Sequence, residues 1–364
     1  MQLRNAPATG TLMPAAAYHS TAWLDRELDH VFEKTWSLVA AVEDVAEPGS
    51  YVDAAVGRSP LVIVRGHDGV LRAFHNFCRH RGMAVVCAAG RTDANLRCPY
   101  HGWEFGVHDG SLQRVPQRSS QFADIDLNDW GLLPASIGEW GGMVFAHPDP
   151  DAAPFREFMG PWADHIGSYR PEELTQVARV RLEANFNWKL FVENHIDVLH
   201  LWYLHDKTLA DFDHPRFQHQ LLGEHWVSHE PLKHADPNDA TLTPGTVPIA
   251  HIDDRDRFGI GAHLLFPNMC MASASEFWIS YQVSPLAPDR SVIDLRVRAE
   301  PGADRDRLLA AARSFIDEDI FACEQVQAIV KAPRFQVGPL ASEHEQPILD
   351  FHRHLLHRLE PLTV

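Results

Sequence analysis

Cysteine is scarce in this chain and poorly placed for a disulfide framework. There are five in 364 residues (Cys78, Cys87, Cys98, Cys270 and Cys323), an odd number spread along most of the length. Without a secretory signal, such residues read as thiols or metal ligands before cross-links. The opening stretch, MQLRNAPATGTLMPAAAY, has no basic start followed by a long apolar run, so it does not read as a signal peptide. No apolar run approaches the ~18 residues of a membrane-spanning helix. Internal repeats and low-complexity tracts are missing too. The expectation is a cytoplasmic enzyme with no membrane partner.

An excess of positive charge is also missing. The formal net charge is −17, which argues against nucleic acid as a partner, because phosphate binding needs a basic footprint. Lysine is absent between Arg58 and Arg118, where nine arginines face four acids (Asp68, Asp93, Glu104 and Asp109) and leave a local +5. A basic patch of this kind steers an acidic protein partner, although arginines scattered around a solvated face give the same count. What is present is an ordinary globular composition, 45% hydrophobic and 22% charged. The length accommodates two domains and a sizeable core.

Residues 22–36 have helical spacing, with Leu24, Leu28, Val31, Phe32 and Trp36 near one face. From about residue 40 to 150, short runs such as LVIVR (61–65), LRAFHNF (71–77) and GGMVFAH (141–147) alternate with turn signals, among them Asp-Gly at 68–69 and at 109–110. This reads as a small all-β domain. The Pro- and Asp-rich HPDPDAAP (147–154) marks a boundary. Beyond it, helical patterns over 185–205 and 303–331 enclose strand-like stretches at 277–286 and 292–300. Their alternation favours antiparallel strands half-buried on one face. Residues 206–260 read as a long loop region over the site. The expected architecture is α+β: an N-terminal helical segment (1–38) packing on the last domain, an all-β domain (39–150) and a helix-flanked antiparallel-sheet domain (151–364).

The strongest motif is Cys78-Arg-His80-Arg-Gly82, then Cys98-Pro-Tyr-His101-Gly-Trp103. Two Cys-plus-His pairs on neighbouring loops of a β domain can hold one metal centre. A [2Fe–2S] cluster with two histidines replacing two cysteines on one iron uses this donor set. Cys78 and Cys98 would hold one iron and His80 and His101 the other, with Gly82 and Gly102 turning the loops tightly over the sulfurs. A structural zinc site has the same ligand types, but zinc fingers usually keep the two cysteines together and the two histidines together, whereas here each pair is mixed. The run Phe74-His-Asn-Phe-Cys78-Arg-His80-Arg-Gly82, with Cys98-Pro-Tyr-His101-Gly-Trp103, resembles the Rieske domain of ring-hydroxylating oxygenases. Rieske ferredoxins share that motif, so it does not by itself imply catalysis. Cys87 matches no ligand position and reads as a buried small residue.

A second constellation runs from Asn187 to His205, with Asn194, Asp197 and His200 at i, i+3 and i+6. His205 lies five residues past His200, about 140° round an ideal helix. Both histidines meet one metal only if the helix is distorted or ends between them. Two histidines and a carboxylate are the ligands of non-haem Fe(II) oxygenases. The best third donor is Asp319, on a predicted helix with Asp317 and Glu318 as acidic neighbours. The Asp-x₂-His-x₄-His pattern resembles the iron-binding helix of the same oxygenase family, and the resemblance covers most of the chain. It implies that His200, His205 and Asp319 are iron ligands. It also implies that Asp197 bridges a ligand histidine to a cluster histidine, His101 of a neighbouring subunit. Asn194 either points at the iron or bonds backbone. Asp211-x₂-His214-x₄-His219 repeats the spacing, but Pro215 disfavours a helix there.

The resemblance further implies a terminal oxygenase catalytic subunit. It would be a homotrimer that takes electrons from a ferredoxin or flavin reductase and uses O₂ on a small organic substrate, with an aromatic compound favoured. Hydroxylation, dihydroxylation and oxidative demethylation share this machinery. An electron carrier and a zinc-stabilised non-catalytic protein are the rivals. Pocket candidates are Trp202, Phe212, Phe258, Leu264, Phe266, Asn268 and Trp278.

Overall fold

The computed structural model describes residues 13–166, 168–234 and 246–359. Contacts divide the chain into two compact units: Leu28–Phe158 is one, and the segment up to Glu27 joins Met159 onward in the other. The anticipated boundaries at 38 and 150 fall elsewhere. The segment 1–38, whose first twelve residues lie outside the described ones, is shared between the units. Its helix is Thr21–His30 only; a 3-10 turn, Phe32–Lys34, follows, and a strand begins at Ser37. Trp36 leaves the helical face to pack on His147 and Phe155.

The Leu28–Phe158 unit is built on a seven-stranded sheet with the order Ser37–Ala41, Met143–His147, Pro134–Trp140, Leu71–His75, Ser59–Arg65, Ser50–Val56 and Gly90–Arg91. A three-stranded sheet, Asn95–Arg97, Glu104–Gly106 and Leu112–Arg114, lies beside it. The first four residues of LVIVR are all apolar because both faces are covered. Leu61 and Ile63 enter one core while Val62 and Val64 enter the other, as the period of two in a strand requires. Both Asp-Gly pairs close antiparallel connections: Asp68-Gly69 precedes Leu71–His75, and Asp109-Gly110 joins Glu104–Gly106 to Leu112–Arg114.

The other unit carries a seven-stranded antiparallel sheet with the order Thr175–Ala184, Arg290–Ala299, Phe277–Ala287, Met269–Ala274, Gly259–Leu265, His225–Pro231 and Gln218–Leu222. Two of these strands, Gln218–Leu222 and His225–Pro231, lie in the region 206–260 expected to be loop, and a third, Gly259–Leu265, begins at its end. Histidine and polar residues break the alternation that sequence reading depends on. Strands 277–287 and 290–299 are buried on both faces for most of their length, not on one. Polar side chains such as Arg298 earn their burial by bonding the carbonyls of Pro171 and Leu174.

Helix Arg305–Ile329 starts at Asp304, whose carboxylate accepts from the N–H groups of Asp306 and Arg307. Its buried residues, Leu308, Ala312, Ile316, Asp319, Cys323 and Gln327, recur every three or four positions along one stripe. Helix Trp188–Ile196 is capped by Asn187 and carries Lys189, fully buried in a 2.6 Å ion pair with Glu27. Glu193, one turn on, accepts from Tyr18 at 2.9 Å and pairs with His352 at 2.8 Å. Among the described residues no helix is long and apolar enough to cross a membrane.

Candidate metal centres and their pocket

The two cysteine–histidine loops close in the same way. In each, the glycine four residues after the cysteine donates its N–H to that cysteine's carbonyl: Gly82 to Cys78 at 2.8 Å and Gly102 to Cys98 at 3.1 Å. The cysteine N–H is held by the residue beyond, Met83 at 2.7 Å and Trp103 at 2.9 Å. Both glycines have positive φ, +75° and +71°, a conformation that a side chain would strain. The mixed spacing thus places the histidine at either the second or the third position after each cysteine of a common turn.

Cys78 and Cys98 are buried free thiols within bonding reach of each other. Burial pushes the Cys78 thiol up to about 11, a cost to its thiolate that a bound cation would offset. The His80 and His101 rings stand 4.6 Å apart, and His80 stacks on Trp103 at 4.9 Å. Nδ1 of His80 is buried with no hydrogen-bond partner, and burial lowers its pKa. A buried, neutral, unpartnered imidazole nitrogen facing a second imidazole beside paired thiols fits a cluster bound from all four residues. Cys87, expected to be buried, is exposed.

The second site is made by a helix that stops. The expected single helix over 185–205 ends at Ile196. Asp197 is extended, and a 3-10 turn, Leu199–Trp202, follows. The Asp197 carboxylate accepts from the N–H of Leu199 at 2.7 Å and of His200 at 3.3 Å, the capping that aspartate favours over helix continuation. The break supplies the distortion that the 200/205 spacing demanded. His200, His205 and Asp319 offer donor atoms all within 4.8 Å of one another. Asp319 Oδ1 lies 3.0 Å from His205 Nε2 and 3.6 Å from His200 Nε2.

Asn194 neither points alone at the centre nor bonds backbone; its Nδ2 donates to Asp319 Oδ1 at 2.7 Å. Nδ1 of His200 is buried without a hydrogen bond, its nearest acid being Asp197 Oδ2 at 3.4 Å. For His205, burial opposes protonation, but Asp319 and Glu318 outweigh it and the pKa rises. A carboxylate between two imidazoles, all partly or fully buried, is a donor set that suits Fe(II). His214 stands apart, against Glu230, and His219 lies on strand Gln218–Leu222.

A family model described as "Ring hydroxylating alpha subunit (catalytic domain)" matches residues 171–360, and a "Rieske [2Fe-2S] domain" matches 35–130. The chain belongs to this oxygenase family. Its cofactors are therefore a [2Fe–2S] cluster and mononuclear Fe(II), and the zinc-stabilised and plain-carrier alternatives fall away. It is 25% identical over 357 residues (94% of this chain, 76% of the relative) to the choline monooxygenase of Amaranthus tricolor, described as chloroplastic. It is 26% identical over 376 residues (93% and 84%) to the glycine betaine monooxygenase oxygenase subunit of Chromohalobacter salexigens. Its fold matches the quaternary ammonium Rieske monooxygenase CntA in complex with L-carnitine (TM-score 0.82, 21% identity, 99% of each chain). It also matches naphthalene 1,2-dioxygenase from Rhodococcus sp. bound to indole (TM-score 0.81, 19% identity, 100% and 97%).

In this oxygenase the candidate iron ligands open on a cavity of about 610 Å³, mouth included. Its wall takes Trp226, Ser228 and Glu230 from strand His225–Pro231, alternate residues of one face. Phe217, Tyr281 and Phe315 add aromatic surface, and His195 completes the polar side. None of the seven anticipated pocket residues lines it. Phe212, Leu264, Phe266, Asn268 and Trp278 are core instead, which is where large apolar residues usually go. Phe315 was discoverable, standing one helical turn before Asp319.

Glu230 is the informative wall residue. It is buried, its carboxyl is pushed up to about 8 by that burial, and it contacts Nδ1 of His214, whose pKa burial lowers. Both shifts favour a neutral pair in which the acid donates to the imidazole. Burial takes His195 down to about 4, so it is uncharged.

Proposed function

We propose that this Rieske oxygenase hydroxylates or oxidatively demethylates a small quaternary ammonium compound. One observation carries the substrate class: among the described residues, the cavity wall holds Asp197, Glu230 and Asp319 and neither lysine nor arginine. Aromatic rings attract an onium ion through their negative faces, and the Glu230 carboxyl, neutral when the cavity is empty, becomes a counter-charge once it gives up its proton. The similarity to choline and glycine betaine monooxygenases favours the same class. An aromatic hydrocarbon, the guest anticipated from sequence, would leave Glu230 buried beside an uncharged ring.

When bound, the cluster supplies single electrons and the iron, held by His200, His205 and Asp319, supplies open positions for O₂. One oxygen atom enters a C–H bond of the substrate. The other leaves as water, with two electrons from a donor protein and two protons from solvent. The residues' part is to hold and exclude: Asn194 fixes the Asp319 carboxylate, Trp226 and Phe217 shield the substrate, and neutral His195 adds no repelling charge. Asp197 would link His200 to His101 of a neighbouring subunit in a homotrimer. The donor would be an acidic ferredoxin or a flavin reductase drawn to the arginines near His101, of which Arg81 is exposed over Tyr100. A cytoplasmic location is part of the same proposal.

The test is turnover of the purified holoenzyme with an electron donor, O₂ and two panels of compounds, quaternary ammonium and neutral aromatic. Oxygenated or demethylated product is expected from the first panel only. Product from the aromatic panel alone would overturn the substrate class.

A further inference from the structure

Glu318 stands next to a candidate iron ligand without being one, and its geometry gives it a separate task. Its Oε2 lies 2.7 Å from Nδ1 of His205 and 2.7 Å from the Thr208 hydroxyl, which donates to it. The same hydroxyl is 3.3 Å from His205 Nδ1. Glu318 and Asp319 are adjacent on helix Arg305–Ile329 and reach opposite nitrogens of one ring, since Asp319 Oδ1 is 3.0 Å from Nε2. A neutral imidazole has one N–H and cannot donate to carboxylates on both sides. A neutral ring that donates to Glu318 through Nδ1 therefore turns its Nε2 lone pair towards Asp319. His200 has no equivalent support, because its Nδ1 makes no hydrogen bond.

We propose that Glu318, braced by Thr208, is a positioning residue that keeps the His205 proton on Nδ1, so that the Nε2 lone pair faces Asp319 and the iron. Metal-ligating histidines gain basicity and a fixed ring plane from such a carboxylate, and loss of it weakens metal binding about 10–100-fold. The bracing is local in sequence as well as in space. Thr208 lies three residues beyond His205 and Glu318 one before Asp319, so each ligand segment carries its own share of the support. The inference rests on His205 being an iron ligand.

The test uses the full-length holoenzyme and reads iron retention rather than turnover. Release of Fe(II) to a competing chelator is followed by the chelate's absorbance, with the cluster absorbance as an internal check on folding. Glu318→Ala should release iron 10–100-fold faster with the cluster unchanged. Glu318→Gln, whose amide oxygen still accepts from Nδ1, should recover most of the retention, and Thr208→Val should fall between. Co(II) in place of Fe(II) should show altered visible ligand-field bands in Glu318→Ala and near-normal ones in Glu318→Gln. Wild-type retention and bands in Glu318→Ala would overturn the proposal, as would equal losses in the Ala and Gln variants. His205→Ala separates the two levels: if it too retains iron, His205 is not a ligand; if it alone loses iron, the ligand stands and the Glu318 role does not.

Discussion

Asn194 and Asp319 meet through a 2.7 Å hydrogen bond from the amide nitrogen to Oδ1, joining helix Trp188–Ile196 to helix Arg305–Ile329 at the candidate iron site. The same oxygen faces both histidines, so the amide decides how the carboxylate is turned. A hydrogen bond to a charged group contributes about 1.5–3 kcal/mol. Replacing Asn194 by Ala should lower iron per chain after dialysis, with retention falling roughly tenfold. Sulfide content should not change. Iron content equal to wild type would remove this role.

Asp197 holds a turn with one set of bonds and faces His200 Nδ1 at 3.4 Å. Asp197→Asn keeps an oxygen for the Leu199 N–H, so it tests the charge rather than the turn. Both metals should stay bound while turnover falls at least about tenfold, because the reduced cluster no longer passes its electron on. Rapid-mixing absorbance of the cluster checks this. Re-oxidation at the wild-type rate would sink the bridging role.

Glu230 sets a pH dependence whose sign follows from burial. Its carboxyl is raised to about 8, so it is protonated at neutral pH and a cation must expel that proton to gain the full attraction. The apparent Kd for a quaternary ammonium ligand should therefore fall about tenfold per pH unit as pH rises toward 8, then level off. Glu230→Gln should bind more weakly and lose the slope. The substrate-free fold responds the other way. The raised pKa stabilises it fully below the ordinary carboxylate range, and this contribution is lost as pH climbs to about 8. Calorimetric titration at several pH values reads the first effect and thermal melting the second.

The buried Lys189–Glu27 pair, 2.6 Å apart with no exposed surface, ties the N-terminal helix Thr21–His30 to the base of the helix carrying Asn194. Lys189→Met leaves a carboxylate buried without its counter-ion and should destabilise by about 3–5 kcal/mol. Lys189→Met with Glu27→Leu should recover most of that, although Trp188 Nε1 loses its acceptor. Thermal melts of the holoenzyme compare the three. A single variant as stable as wild type would show that the pair contributes nothing.

The candidate metal ligands were legible because their chemistry is local. Cys78, His80, Cys98 and His101 sit in two short turns that repeat one hydrogen-bond pattern, and His200 and His205 lie within one loop. Asp319 was legible as the best candidate on a predicted helix beside two competing acids, and the structure puts it on that helix's buried stripe. The substrate wall was not. Trp226, Glu230, Tyr281 and Phe315 are brought together from separate strands and a helix, and an aromatic residue on a strand looks the same whether it faces core or cavity.

The sequence by itself therefore determined the family, its two cofactors and the candidate ligand set, because ligand type and turn geometry are encoded within a few residues. Only the tertiary structure decided where helix 185–205 breaks, that Glu318 as well as Asp319 meets His205, and that Glu230 is buried in the cavity wall. Those outcomes depend on packing between segments far apart in the chain, where the energy of a contact is set by neighbours that no local pattern specifies.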